Sequence, residues 1–317
     1  MSGEGEGGGE AAYRVTGERA RQMRAIPAER LKELYRKSDL RGLLQIGAHA
    51  ALLVAGGFVI EAARGSWLLA PAWLLQGAFV MALFAPMHES VHYTAFRARW
   101  LNDLAAFLSA AAIFNIGRYY MHFHRAHHRY TQDPARDPEL IAQPEARTLG
   151  GYLWRVSAIP FWTARLSQLA TLPFGRFAGL DFIHPSARPE ITRHARVQLL
   201  LYAVIAVVSV AAGSDAALMH WLIPAFLGAP LLRLYLLVEH AGCTRDDDGF
   251  ANTRTTLTNP ALRLLMWNMP FHAEHHLLPN VPFHRLPEAH ALLRPHMKVV
   301  TPGYIAAHRQ ILASLRR

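Results

Sequence analysis

Apolar and polar positions are segregated along this chain into long blocks. Gly42–Ile60 runs for 19 residues and Trp67–Met87 for 21 without a formal charge. At about 1.5 Å per residue, a helix of either length covers the roughly 30 Å hydrocarbon core of a bilayer. Only Glu61–Ser66 separates the two, so they are expected to form a tight helical hairpin. Val197–Ala212 and Ala216–Val238 repeat the pattern around Gly213-Ser214-Asp215. Pro224 and Pro230 are expected to bend the last of these helices, and Arg233 to snorkel from its end toward the surface.

Shorter apolar stretches read differently. Leu104–Ile116 has only 13 residues, too few for a comfortable span, and predicts an interfacial or re-entrant helix. Gly151–Phe174 mixes Trp154, Phe161 and Trp162 with Arg155 and Arg165, the signature of an amphipathic segment at an interface. Met1–Glu10 is rich in Gly and Glu and is expected to be disordered; no cleavable secretory signal is expected. From Glu18 to Lys37 the pattern is an Arg-rich amphipathic helix with Met23, Ile26, Leu31 and Leu34 as its apolar positions. It is either solvated or laid on the membrane surface.

Charge then gives an orientation. Two hairpins leave both termini and the long middle loop on one side. That side carries nine Lys/Arg in the first 41 residues and many more in Arg97–Arg196, whereas the two short turns opposite carry only Arg64. The positive-inside rule places the basic side in the cytoplasm. The expected fold is an all-α integral membrane protein with four transmembrane helices in two hairpins. A cytosolic N-terminal segment covers 1–41, the membrane domain 42–296 and a cytosolic tail 297–317. The net charge of +10 suits an anionic membrane face, and no motif for nucleic acid accompanies it. Cys243 is the only cysteine, which excludes internal disulfides and cysteine-built zinc sites and leaves it as a small packing residue.

The candidate chemistry lies in the histidines. Of eighteen, eight fall in three clusters: His88-Glu-Ser-Val-His92, His124-Arg-Ala-His127-His128, and His272-Ala-Glu-His275-His276. A ninth, His240, ends the fourth span. Positions i, i+3 and i+4 share one helical face, so each cluster is a rake of two or three imidazoles. All four places map to the cytoplasmic ends of the spans or to cytoplasmic segments, so they can meet at one depth. Nine converging imidazoles exceed the four ligands of a zinc ion but fit two metals, and room for O₂ or water favours iron. Glu89 and Glu274 sit inside the boxes and are candidates to orient imidazole N–H groups. Asp133 and Asp137 are candidates for the same role or for capping a helix. His49, His122, His220, His284 and His290 are expected to serve elsewhere.

The boxes, with His124-Arg-Ala-His-His-Arg-Tyr-Thr-Gln-Asp-Pro134, Asn268-Met-Pro-Phe-His-Ala-Glu-His-His-Leu-Leu-Pro279 and Val281-Pro-Phe-His-Arg-Leu-Pro287, resemble the membrane fatty acid desaturase family over about Leu43 to His296. The resemblance implies a four-span fold whose cytosolic cap carries two non-haem iron ions, with O₂ as co-substrate and an external electron donor. It implies one iron on His88, His128, His240 and His276, and the other on His92, His124, His127, His272 and His275. The sequence departs from some acyl-CoA desaturases at Leu236, where they have an asparagine that reaches iron through water. The expected activity is introduction of a double bond into a fatty acyl chain. The alternative is hydroxylation of a fatty acyl, carotenoid or other apolar substrate. A metal transporter is disfavoured because the spans are almost bare of ligands. No haem-binding, Cys₄ or nucleotide motif is present, so electrons are expected from a separate ferredoxin or haem-type cytochrome.

Overall fold

The computed structural model describes residues 21–315. The expected disorder of Met1–Glu10, and the first residues of the amphipathic stretch, lie outside them. Four helical segments are long and apolar enough to cross a membrane: Asp39–Ala63, Leu69–Val91, Pro185–Ala211 and Leu218–His240.

The first is a single helix, α2 (Asp39–Ala63), after a short α1 (Ala28–Leu34). Ser38 caps it by accepting the Arg41 N–H, and the chain leaves it through Gly65 at φ +76°. The second span is two helices, α3 (Leu69–Met81) and α4 (Phe84–Val91). Pro86 explains the break. It has no N–H for the Ala82 carbonyl, which accepts from Ala85 instead at 2.9 Å.

The next apolar run forms α5 (Arg99–Ala112), which stops at a turn where Phe114 takes φ +61°. Helix α6 (Gly117–Tyr130) leaves at 99° to it. The run that was too short for a span is thus one arm of a sharply bent pair. After α7 (Pro138–Ala142), the aromatic and basic segment becomes α8 (Leu149–Val156) and α9 (Ile159–Thr171). Leu149, Leu153, Trp154 and Leu166 on them are exposed.

The third apolar block starts earlier than its hydropathy suggests. Helix α10 (Arg188–Ala211) includes Arg188, Glu190, Arg193 and Arg196 ahead of the uncharged stretch. A helix can run on from lipid into water, so a charge marks the limit of the apolar block and not the helix end. The fourth segment opens with a π-turn, Leu218–Leu222, before α11 (Ile223–His240). Pro224 cannot donate to the His220 carbonyl, and the Gln76 side chain does so instead at 3.4 Å.

Helix α3 packs on both α2 and α11. At the crossing of α3 and α11, Gly77 and Gly228 bring the two backbones together. A Cβ on Gly228 would lie 2.2 Å from the Gly77 carbonyl oxygen. Close approach through small residues is how helices associate where lipid removes the hydrophobic drive. By contrast, α2 and α10 turn most of their apolar surface outward, with Phe58 72% and Val210 83% exposed. Outside a bilayer such surfaces would be a liability.

The two interhelical turns lie side by side. Arg64 bonds both Asp215, at 2.8 Å, and Glu61, and His220 pairs with Glu61 at 2.7 Å. At the other end sits a helical cap: α12 (Pro260–Leu265), α13 (His272–Leu277), α14 (Leu286–Leu293) and α15 (Tyr304–Ser314). Thr255-Thr256 (β1) and Val300-Thr301 (β2) pair in parallel within it. Ala307 and Ile311 of α15 pack on Leu237 and Val238. Ile26 and Leu34 are buried against Leu277, Leu286 and Ala289, with Met23 and Leu31 partly buried beside them. The amphipathic N-terminal stretch therefore covers the third histidine box, and its apolar face meets protein.

Arg233 differs from expectation. It is 7% exposed and bonds Gln143, turning inward to a cleft in place of outward to the surface. Burial pushes the Cys243 thiol up to about 11, away from the reactive thiolate form.

Candidate metal centre

Each box is held by a different device. His88 sits on the last turn of α4 and His92 caps its C-terminus, just past the Pro86 break. The second box fills the last turns of α6. His240 is the final residue of α11, whose last carbonyls are gripped by Arg254: its N–H bonds the Glu239 carbonyl at 2.8 Å and its guanidinium the Val238 carbonyl. The six-residue α13 is too short to stand alone. It is set by Trp267, fully buried, and by Asn268, whose side chain bonds the Phe283 carbonyl at 3.1 Å. Both take left-handed backbone angles, φ +51° and +56°.

These devices bring all nine predicted histidines together. Coordinating atoms of His88, His92, His124, His128 and His275 lie within 4.8 Å of one another, and so do those of His127, His240 and His276. His272 joins the second group, its Nε2 3.2 Å from His240 Nε2. Further Nε2 pairs are His124–His128 at 2.9 Å, His128–His275 at 3.1 Å and His127–His240 at 3.2 Å. Metal–nitrogen bonds of about 2.0–2.1 Å put neighbouring ligand atoms about 3.0–3.5 Å apart, which is this spacing. The groups cut across the division implied by resemblance: His88 and His128 stand with His92, His124 and His275, and His127 and His272 with His240 and His276.

The donor set fits metal ions. His88 Nδ1 and Nε2, His92 Nε2 and His276 Nε2 are buried with no hydrogen-bond partner, a costly state for polar atoms. Burial pushes the His275 ring down to about 3, so it is neutral and able to coordinate at neutral pH. Soluble two-iron bundles use carboxylates for much of this task.

Ring orientation comes from the opposite nitrogens. His127 Nδ1–H donates to Asp137, at 2.9 and 3.1 Å to its two oxygens. Burial alone would raise the Asp137 carboxyl, but His127 and the Gln132 N–H hold it below the usual range. His276 Nδ1–H donates to Thr131 at 3.2 Å, and His240 Nδ1–H to the Asn252 carbonyl at 3.4 Å.

The other three candidate carboxylates do something else. Asp133 bonds Ala135 N–H and Arg136, fixing its own exposed turn. Glu274 accepts from His290 at 2.5 Å and from Thr255, so it braces α13 against α14 and β1. Glu89 accepts the Phe283 N–H at 2.8 Å, tying the first box to the loop after the third. Pattern placed Glu89 and Glu274 beside ligands in sequence, but in a helix the neighbour of a ligand points away from it. His49 bonds the Phe79 carbonyl across to the next helix at 2.9 Å, as expected for a span histidine.

Missed altogether were Glu139 and Glu239. Glu139 lies 3.7 Å from His127 Nε2 and Glu239 lies 3.5 Å from His272 Nε2. The signal for Glu239 was its place beside His240 in an otherwise bare span. With Arg165, Arg233, Gln143, Phe84, Tyr120, Phe123 and Leu236 they line a cleft that reaches His88, His124, His127 and His272.

The family's sequence profile, described as fatty acid desaturase, matches residues 65–307. The chain belongs to the fatty acid desaturase family. This makes it an oxidoreductase of the desaturase type. It is similar to a dihydrorhizobitoxine desaturase of Bradyrhizobium elkanii, 26% identical over 292 residues, covering 87% of this chain and 80% of that one. An sn-1 acyl-lipid omega-3 desaturase (ferredoxin) of a Nostoc species is 31% identical over 155 residues, 45% of this chain and 41% of that one. An sn-1 oleoyl-lipid 12-desaturase of a Picosynechococcus species is 25% identical over 284 residues, 81% of this chain and 77% of that one.

Asp137 gives this desaturase family member a graded test. Asp137→Asn is expected to loosen metal in the His127 group by about 10–100-fold, the usual effect of losing a ligand's orienting partner. Metal retention against a chelator measures it, with the five-histidine group unaffected.

Proposed function

We propose that this chain is a membrane-embedded, O₂-dependent desaturase that introduces a double bond into a fatty acyl chain at a two-iron centre facing the cytoplasm. The gathering of nine imidazoles from four separate parts of the chain, eight in two groups and His272 against His240, carries this reading. In it, His88, His92, His124, His128 and His275 hold one iron, and His127, His240, His272 and His276 hold the other. Bound there, two irons with O₂ supply the oxidising power to remove hydrogen from an unactivated C–H bond, which no acid–base side chain can do.

The protein's part is positional. Asp137, Thr131 and Asn252 hold three rings with Nε2 turned inward. Phe84, Tyr120, Phe123 and Leu236 give an alkyl segment apolar contacts beside His88 and His124. The same cleft carries Arg165, Arg233, Glu139 and Glu239, so it is less apolar than the plain hydrocarbon channel expected of a lipid oxidase. One face of its substrate therefore meets polar groups, because charged walls against bare alkyl would stay desolvated and unpaired.

The excess of basic residues fits a separate electron donor docking from the cytoplasm, and a ferredoxin serves the Nostoc relative by its name. If charge steers that docking, turnover falls as ionic strength rises; salt-independent turnover removes the electrostatic part. Expression in a host of defined lipids, followed by mass analysis of the lipids, tests the reaction. A new product lighter by two hydrogens supports desaturation. A product heavier by one oxygen moves the chain to the hydroxylases.

A further inference from the structure

The fourth span ends Val238-Glu239-His240, and the carboxylate there has no conventional partner. Glu239 is 8% exposed. Among the described residues no Lys or Arg lies within 4.0 Å of it, and the one ion-pair contact of its side chain is His272 Nε2 at 3.5 Å. A buried carboxylate left without a cation costs several kcal/mol, roughly, unless something positive answers it.

We propose that Glu239 is a carboxylate ligand of the second metal, completing a shell otherwise made of His127, His240, His272 and His276. This rests on reading the nine histidines as a two-metal centre. His240 Nε2 is the hub of that shell, 3.2 Å from both His127 Nε2 and His272 Nε2. Glu239 Oε2 lies 3.5 Å from His272 Nε2, the spacing of two ligands on one ion. The backbone here is fixed, because Arg254 takes up the Val238 and Glu239 carbonyls and so sets the last turn of α11. Nearby, Leu236 lines the same cleft, and its side chain offers no donor atom to water or metal. A carboxylate three residues on fills that need with charge as well as an oxygen, which suits a ferrous ion in a buried site.

Glu139 is the competing carboxylate. Its side chain is 36% exposed and 3.7 Å from His127 Nε2, on a ring already oriented by Asp137. Water can hydrate Glu139, so it has no comparable need of the metal.

The test uses the full chain in detergent micelles, loaded anaerobically with isotopically enriched ferrous iron. Bound iron is counted by elemental analysis and each site is resolved by Mössbauer spectroscopy. Wild type is expected to hold two irons in two environments. Glu239→Gln should weaken the second iron at least about 10-fold and alter its quadrupole splitting, while the first keeps its spectrum. Glu239→Asp should recover part of the affinity, and Leu236→Asn placed in the Glu239→Gln chain should recover part of it through water. Glu139→Gln should match wild type in iron content and spectra. Two irons with unchanged spectra in Glu239→Gln, or the loss appearing in Glu139→Gln instead, overturns the proposal and leaves the two-metal centre standing. A wild type that takes up no iron removes that centre and the proposal together.

Discussion

Replacing His275 with alanine is expected to leave a folded chain that holds less than one equivalent of iron in its first group and turns over more than about a hundredfold slower than wild type. His275 belongs to the five-ring group, and its Nε2 is 3.1 Å from that of His128. It is fully buried, and its Nδ1 has no hydrogen-bond partner, so the fold gains no hydrogen bond from that ring nitrogen. The loss should exceed the 10–100-fold that follows removal of an orienting partner such as Asp137, because a ligand itself is gone. Iron per chain and helix content, measured on the same sample, separate this from misfolding. A His275→Ala protein with full iron and normal turnover would contradict the grouping.

The second large effect concerns the scaffold. Gly228→Val should destabilise the protein by about 3 kcal/mol or more, beyond the usual cost of an overpacked core. The Cβ position lies 2.2 Å from a backbone oxygen of Gly77 and 2.3 Å from its carbon, and backbone cannot rotate aside as a side chain can. Helices α3 and α11 must separate; α3 leads into α4, which carries His88, and α11 ends on His240. The midpoint of thermal unfolding in detergent should fall by about 10 °C, given roughly 2–4 °C per kcal/mol for chains of this size class. Iron should leave at lower temperature in step with it. Gly47→Val is the control: nothing lies within 4 Å of a Cβ there, so it should change little.

Much of this architecture was legible because the bilayer and the metal impose simple periodicities. Two uncharged runs of about twenty residues, a shorter apolar one and one broken only by Arg233 marked the four spans, and i, i+3 and i+4 spacing marked the boxes. What could not be read depended on partners distant in sequence. Arg233 looked like a snorkelling residue because hydropathy sees a charge near a helix end and not the cleft holding Gln143 beside it. The N-terminal stretch looked solvated or membrane-bound because nothing local reveals that Ile26 and Leu34 meet Leu277 and Leu286 across the whole length of the chain. Asp137 and Asp133 are indistinguishable in the string Gln132-Asp-Pro-Ala-Arg-Asp137; only the turn between them sends one to His127 and leaves the other in its own loop. The allocation of histidines to two metals was equally hidden, since adjacent ligands such as His127 and His128 diverge into different groups.

The centre itself is tested most directly by the metal content of the wild-type chain, purified in mild detergent without added metal and then after anaerobic loading. Two iron ions per chain, displaced only slowly by chelator, is the expected result. A chain that takes up one zinc ion and refuses iron, or that binds no transition metal with its helices intact, would contradict it.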